Sequence, residues 1–193
     1  MDQTFIDNRT FDRVDFREHP LQKGEYDKCS FDSCDLSSVD LSEMKFVGCR
    51  FVHCNLSLAK LSKTALRGII FKDCKMVGLH FDTCNEFGLS FSFENCFLMH
   101  STFYRTKIKK TTFKNSQLHE VDFTECDLTG SMFDHCDLER AMFQNTVIEK
   151  VDFRTSYNYS IDPQVNRIRK AVFSIPEIVG LLDKYDITID KAG

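Results

Sequence analysis

Large apolar residues recur at every fifth position over most of this chain. One run is Ile6, Phe11, Phe16, Leu21, Tyr26, Phe31, Leu36, Leu41, Phe46, Phe51, Leu56, Leu61, Leu66, Phe71, Met76 and Phe81. A second run, displaced by two residues, is Leu98, Phe103, Ile108, Phe113, Leu118, Phe123, Leu128, Phe133, Leu138, Phe143, Ile148 and Phe153. These 16 and 12 positions contain no polar residue, although only 42% of the chain is hydrophobic. A period of five fits neither an amphipathic helix, at about 3.6, nor a strand, at about 2. A short period kept up this long predicts a solenoid, in which each unit covers the next.

A second, smaller set lies two residues before each large one. It includes Cys34, Val39, Met44, Cys49, Cys54 and Ala59, and later Val121, Cys126, Ser131, Cys136 and Ala141. Taking the large position as the centre, centre and centre-minus-two point inward and the other three residues point out. The outward set is polar: Asp35, Asp40, Asn55, Asp122, Asp127, Asp137 and Asp152 each stand just before a centre. All nine cysteines fall at centre-minus-two, with Cys84 belonging to a centre at Glu86. This register makes the thiols small core residues. A metal site would want short paired spacings with histidines nearby. Unpaired thiols also imply a reducing compartment.

Identical residues recur at twenty as well. Phe11, Phe31, Phe51, Phe71 and Phe91 form one column, Phe93, Phe113, Phe133 and Phe153 another, and Cys34, Cys54 and Cys74 a third. Four fives per turn predict a square coil rising about 4.8 Å per turn, and about seven turns give a rod on the order of 35 Å long. The two registers meet at 84–93, where Glu86 takes a centre slot and two extra residues enter. This reads either as a hinge that shapes a binding surface or as a tolerated bulge.

Stretches such as Cys34-Asp35-Leu36-Ser37, Val121-Asp122-Phe123-Thr124 and Cys126-Asp127-Leu128-Thr129-Gly130 resemble the A(D/N)LXX pattern of pentapeptide-repeat proteins. The resemblance extends over roughly residues 4–156. It implies an all-β fold, a right-handed quadrilateral β-helix; the handedness comes from the resemblance alone. The expected organisation is a repeat domain at 1–156 and a capping and dimerisation segment at 157–193.

After Phe153 the beat stops. Ser174-Ile175-Pro176-Glu177 reads as a capping box. It predicts a short C-terminal α-helix at about 175–185, with Ile178, Val179, Leu181, Leu182 and Tyr185 on one apolar stripe. That stripe is the expected dimer interface, because an open β-helix end exposes unpaired backbone and an apolar cross-section. The tail Ile161-Asp162-Pro163-Gln164-Val165-Asn166-Arg167-Ile168 followed by Ser174-Ile175-Pro176 resembles the quinolone-resistance (Qnr) and microcin-B immunity subgroup. In that subgroup the tail makes a head-to-head homodimer.

Charge adds position rather than magnitude, since the net charge is only −4. Residues 1–43 carry 11 acids and 5 bases, and residues 44–75 carry 7 bases and 1 acid. Residues 101–116 carry Arg105, Lys107, Lys109, Lys110 and Lys114 with no acid. Residues 117–139 carry Glu120, Asp122, Glu125, Asp127, Asp134, Asp137 and Glu139 with no Lys or Arg. On a coil of twenty these runs become belts. The acidic belt is the expected partner-binding site, because a local field of one sign steers a partner of the other. The basic belt at 105–114 offers phosphates a contact, but it lacks interleaved aromatics beyond Tyr104, so direct nucleic-acid binding is not expected.

No catalytic motif is present: no nucleophile elbow, P-loop, G-x-G-x-x-G or H-E-x-x-H. His19, His53, His80, His100, His119 and His135 have no ligand spacing. Acid–base chemistry needs a cleft that shifts pKa values, and a packed square rod has none. No enzyme activity, cofactor or metal is expected. Neither a signal peptide nor a membrane span is visible, so the expectation is a cytoplasmic protein. The subgroup resemblance implies a DNA-mimicking homodimer that binds DNA gyrase or topoisomerase IV and protects it from quinolones or peptide toxins. The competing expectation is a general pentapeptide-repeat scaffold for another protein.

Overall fold

The computed structural model describes residues 4–190. The chain winds as a β-solenoid in which every pairing is parallel and joins residues one coil apart. One sheet stacks the strands Thr4–Asp7, Gly24–Asp27, Lys45–Val47 and Ala65–Arg67. The other stacks Thr10–Asp12, Ser30–Asp32, Arg50–Val52, Ile69–Lys72, Phe91–Glu94, Thr112–Lys114 and Met132–Asp134. Elsewhere the coils join through single bridges such as Asp35↔Asn55, Thr102↔Asp122 and Asp127↔Val147.

Four faces follow from the centre columns. The first carries Phe11, Phe31, Phe51 and Phe71. The second carries Leu36, Leu56, Leu98 and Leu118, the third Leu41, Phe81, Phe103 and Phe123, and the fourth Phe46, Leu66, Ile108 and Leu128. These centres are buried apart from Phe11, which is half-buried at the N-terminal end. Stacking is close to parallel: Phe31 on Phe51 at 4.6 Å and 5°, Phe113 on Phe133 at 4.7 Å and 3°. Neighbouring faces meet edge to face, as in Phe103 and Phe113 at 6.0 Å and 87°. Each such pair contributes roughly 0.5–1.5 kcal/mol beyond its burial.

The centre-minus-two residues do more than fill space. Many of those with a polar or thiol side chain donate to a centre carbonyl in the preceding coil. Cys49 reaches Tyr26 O at 3.2 Å, Cys54 reaches Phe31 O at 3.3 Å and Thr64 reaches Leu41 O at 2.8 Å. This explains why Cys, Ser and Thr are accepted there beside Val and Ala: a small side chain fits, and a single donor on it finds a carbonyl. The corners fall at centre-plus-two, where residue after residue has positive φ, for example Ser33, His53, Leu58, Glu120 and Arg140.

At 84–93 the coil keeps its stacking and extrudes the extra residues. Ile69 pairs with Phe91 and Phe71 with Phe93, and the rings of Phe71 and Phe93 stack at 5.4 Å and 10°. The first-face column therefore continues through Phe93, while Phe91 fills the smaller slot beside Ile69. Glu86 is exposed, and Leu89 is buried in the core.

The C-terminal end differs from the expected one. Stacking runs past residue 156 to Phe173, which lies on Phe153 at 5.4 Å and 1°. No α-helix follows among the described residues; Ile178–Leu181 and Asp183–Tyr185 are short 3-10 turns. Ser174 makes no capping contact. The reason is a close approach at Gly180, whose carbonyl accepts the Ile161 N–H at 2.9 Å. A Cβ there would stand 3.0 Å from the Tyr159 ring and closer still to the Tyr159 carbonyl. The segment is held by the coil end rather than by its own helical bonds, and a helix this short is marginal unaided.

Candidate interaction surfaces

The outward residues divide into an edge at centre-plus-two and two rows on each face. Asp122 stands on the third face, Asp127 on the fourth, Asp134 on the first, and Asp137 and Glu139 on the second, with Glu120 and Glu125 on edges. The acidic run therefore encircles the rod, and no flat side presents all of it.

Most of these carboxylates are already paired, and several pairs run along the rod axis. Arg105 makes two hydrogen bonds to Glu125, at 2.7 and 3.2 Å, and this guanidinium holds the Glu125 carboxyl below its ordinary range. Lys109 lies 3.0 Å from Asp127. Burial pushes Asp127 up, but hydrogen bonds from Thr129 and Lys109 outweigh it and leave it lowered. Glu120 meets His100 at 3.3 Å and Arg140 at 3.5 Å. Asp134 meets His135 at 2.7 Å, and Glu139 lies 3.9 Å from Arg140. Asp137 meets His119 at 2.8 Å and accepts a hydrogen bond from Asn158 at 2.8 Å. Burial pushes Asp137 up, and these contacts reverse the shift. Asp122 alone of the seven has no ion-pair partner among the described residues; it accepts the Thr124 N–H at 2.8 Å.

Such exposed pairs contribute at most about 1 kcal/mol each, yet Arg105, Lys109 and Arg140 offset part of the local field; the histidines beside Asp134 and Asp137 add to this only when protonated. The sequence held the signal: the basic run at 105–114 precedes the acids at 125–134 by one coil of twenty.

The residues expected at the dimer interface also separate. Ile178, Leu182 and Tyr185 are exposed, whereas Leu181 packs against the core and Val179 is half-buried. Ile175, at 87% exposed, joins the exposed set with Val172, Ile187 and Ile189.

A shallow trough of about 380 Å³ runs along the second face, lined by Lys75, Val77, Phe97 and Met99 beside His53 and Asp73. It has no enclosed floor, and the acid–base pair on its rim, His53 Nε2 with Asp73 Oδ2 at 3.6 Å, lies open to solvent. No group of three or more His, Cys, Asp or Glu side chains among the described residues is placed to hold a metal ion. The nine cysteines are buried and unpaired, and burial pushes Cys49, Cys84, Cys126 and Cys136 up to about 12. No helix among the described residues is long and apolar enough to cross a membrane.

A family model described as pentapeptide repeats (8 copies) matches residues 34–73, and one described as a pentapeptide repeat region matches 89–158. No curated protein matches the chain. Among solved structures, a trypsin-treated variant of QnrB1, a plasmid-mediated fluoroquinolone resistance protein, aligns over 98% of this chain and 100% of its own, with 15% identity and a TM-score of 0.57. Full-length QnrB1 aligns over 95% and 100%, with 17% identity and a TM-score of 0.46. HetL, a pentapeptide repeat protein of the cyanobacterium Nostoc involved in heterocyst differentiation regulation, aligns over 88% and 87%, with 12% identity and a TM-score of 0.36. At 15% identity the likeness to the trypsin-treated QnrB1 variant concerns the fold alone.

Proposed function

Because this chain is a pentapeptide-repeat protein, we propose that it works without catalysis, as a protein-binding rod whose partner is DNA gyrase or topoisomerase IV. Its role on this reading is to protect that enzyme from quinolones or peptide toxins, as a DNA-mimicking homodimer joined through the C-terminal segment. The observation that carries the proposal is the end-to-end correspondence with the QnrB1 fold, 98% of one chain against 100% of the other. The exposed apolar residues of the tail, Ile175, Ile178, Leu182 and Tyr185, supply surface for joining two copies.

A second reading, a scaffold for a different protein, is favoured by one specific observation. Arg105, Lys109 and Arg140 interrupt the acidic belt from neighbouring coils, so the rod lacks the uniform negative field that mimicry of duplex DNA calls for. Gyrase supercoiling and quinolone-stabilised cleavage, run with and without the protein, decide between them. Inhibition or protection supports the topoisomerase reading; no binding, no inhibition and no protection leaves the scaffold.

A further inference from the structure

Between residues 93 and 170, every Lys or Arg without a carboxylate partner among the described residues lies on one side of the rod. These are Lys107 and Arg169 on the fourth face, and Lys110, Lys150 and Lys170 on its edge toward the first face. The remaining cations of this stretch are all engaged, for example Arg105 with Glu125, Lys109 with Asp127, Arg154 with Asp152 and Arg167 with Glu149. The stacking register places Lys150 and Lys170 on consecutive coils, about 4.8 Å apart along the axis. A recess of about 190 Å³ opens among Lys150, Arg169, Lys170 and Glu149.

The same face carries an aromatic side chain toward the N-terminal end. Phe87, at the tip of the extruded segment, is 76% exposed. It is held in place. Its N–H donates to Asn85 Oδ1 at 2.9 Å, its carbonyl accepts Arg67 Nε at 3.1 Å, and the Arg67 guanidinium lies 5.0 Å from the ring centroid. An exposed aromatic fixed by its neighbours costs little ordering on binding, which is the property of an interface anchor.

From the coil of Phe87 to that of Lys170 there are four coil rises, about 19 Å. An extended polypeptide covers that distance in about six residues. We infer that this strip docks an extended acidic polypeptide segment of about that length, with an apolar side chain against Phe87 and carboxylates along the lysine edge. Nucleic acid fits less well. A single strand wants repeated aromatic platforms, and the strip offers one; a duplex backbone would set Phe87 against phosphates. The inference holds whichever protein supplies the segment, so it does not depend on the topoisomerase reading.

The test uses two fluorescein-labelled octaglutamate peptides, one with its first residue replaced by leucine and one with its last, followed by fluorescence anisotropy. At least one binds the full-length protein, and affinity falls steadily as salt rises from about 50 to about 300 mM. Lys150→Glu with Lys170→Glu weakens binding by about tenfold or more, and Phe87→Ala by about threefold. Lys60→Glu with Lys63→Glu, on the third face and its edge, leaves it unchanged. If the double reversal does not fold, by far-UV circular dichroism, Lys150→Gln with Lys170→Gln replaces it, and the loss is then smaller but in the same order. The proposal is overturned if neither peptide binds, if the third-face variant loses as much as the fourth-face one, or if a single-stranded DNA octamer binds more tightly than both peptides. No gyrase assay enters, so failure here and failure of the topoisomerase reading are separate results.

Discussion

Leu58 lies across Gly78 one coil further on: a Cβ on Gly78 would stand 2.8 Å from Leu58 Cδ2. Lys28 and Gly48, and Lys110 and Gly130, repeat the arrangement less tightly, at 3.5 and 3.7 Å. A long side chain at one corner thus occupies the space above the corner of the next coil. Gly78 also has a φ of +68, which costs an L-residue about 1 kcal/mol or more. Gly78→Ala should therefore lose the strain of about 1 kcal/mol plus a smaller cost, roughly 0.5 kcal/mol, for turning the exposed Leu58 methyl aside. With Leu58→Ala in the background only the strain of about 1 kcal/mol remains. Gly68→Ala, where φ is +63 and no atom lies within 4 Å, should cost about the strain alone. Urea midpoints at constant m measure all three; equal costs for Gly78→Ala in both backgrounds would refute the relationship.

The interior thiols set an alkaline limit. Burial pushes Cys34 up to about 11, and Cys49, Cys84, Cys126 and Cys136 up to about 12. In the unfolded chain a thiol ionises near about 8.5. A raised folded pKa contributes stability that is whole below the unfolded value and is lost as pH climbs toward the folded one. Between about pH 8.5 and about 11, each such cysteine should remove roughly 1.4 kcal/mol per pH unit. Melting temperature should fall steeply above about pH 9, and Cys126→Ala with Cys136→Ala should make that limb shallower. A flat profile to about pH 11 would contradict the buried, protonated thiols.

The acid side has the opposite sign. Hydrogen bonds from Arg17 hold Asp15 down to about 2, those from His135 and Thr155 lower Asp134, and those from Arg154 lower Asp152. Depressed carboxylates contribute stability present above their unfolded value of about 3.9 and lost as pH falls through the folded one. Stability should therefore begin to decline below about pH 4, by at most about 1 kcal/mol per pair. Raised salt should weaken the contribution of these solvated pairs while leaving the alkaline limb in place. Melting curves at pH 3 and pH 10, each at low and high salt, separate the two.

The coil was legible because its interior obeys one rule. A large residue every five and a smaller one two places earlier are both demanded by the same square cross-section. The slip at 84–93 broke the rule in a way that spacing alone could not resolve. Phe91 continues the count of twenty from Phe71, yet the structure puts Phe93 in that column and Phe91 beside Ile69. Which Phe enters the stack depends on how many residues the bulge absorbs, a matter of loop closure rather than periodicity. The tail misled for a related reason. Ser174 and Glu177 have the spacing of a capping box, but Phe173 is still bound into the last coil and Gly180 is pressed on Tyr159. Tertiary contacts there override a local signal. The surface was least legible of all. Glu125 and Arg105 are twenty apart, so a charge run read along the chain hides the partner lying beside it on the next coil.

Tail geometry bears directly on self-association. Leu181 and Leu182 are adjacent in sequence but differ in burial: Leu181 packs against the core, whereas Leu182, like Ile178 and Tyr185, is exposed. If two copies join through this end, Ile178→Glu with Leu182→Glu should convert the dimer to a monomer in light scattering during size exclusion. Each charge would then be buried in the interface without a partner. The solenoid should survive, because neither side chain belongs to its interior. Leu181→Glu should behave differently. It places a carboxylate against the core, and should lower the melting temperature whether or not a dimer forms. A monomeric native protein at micromolar concentration would remove the tail from the interface. Equal thermal loss from the two substitutions would show that Leu182, too, belongs to the cap.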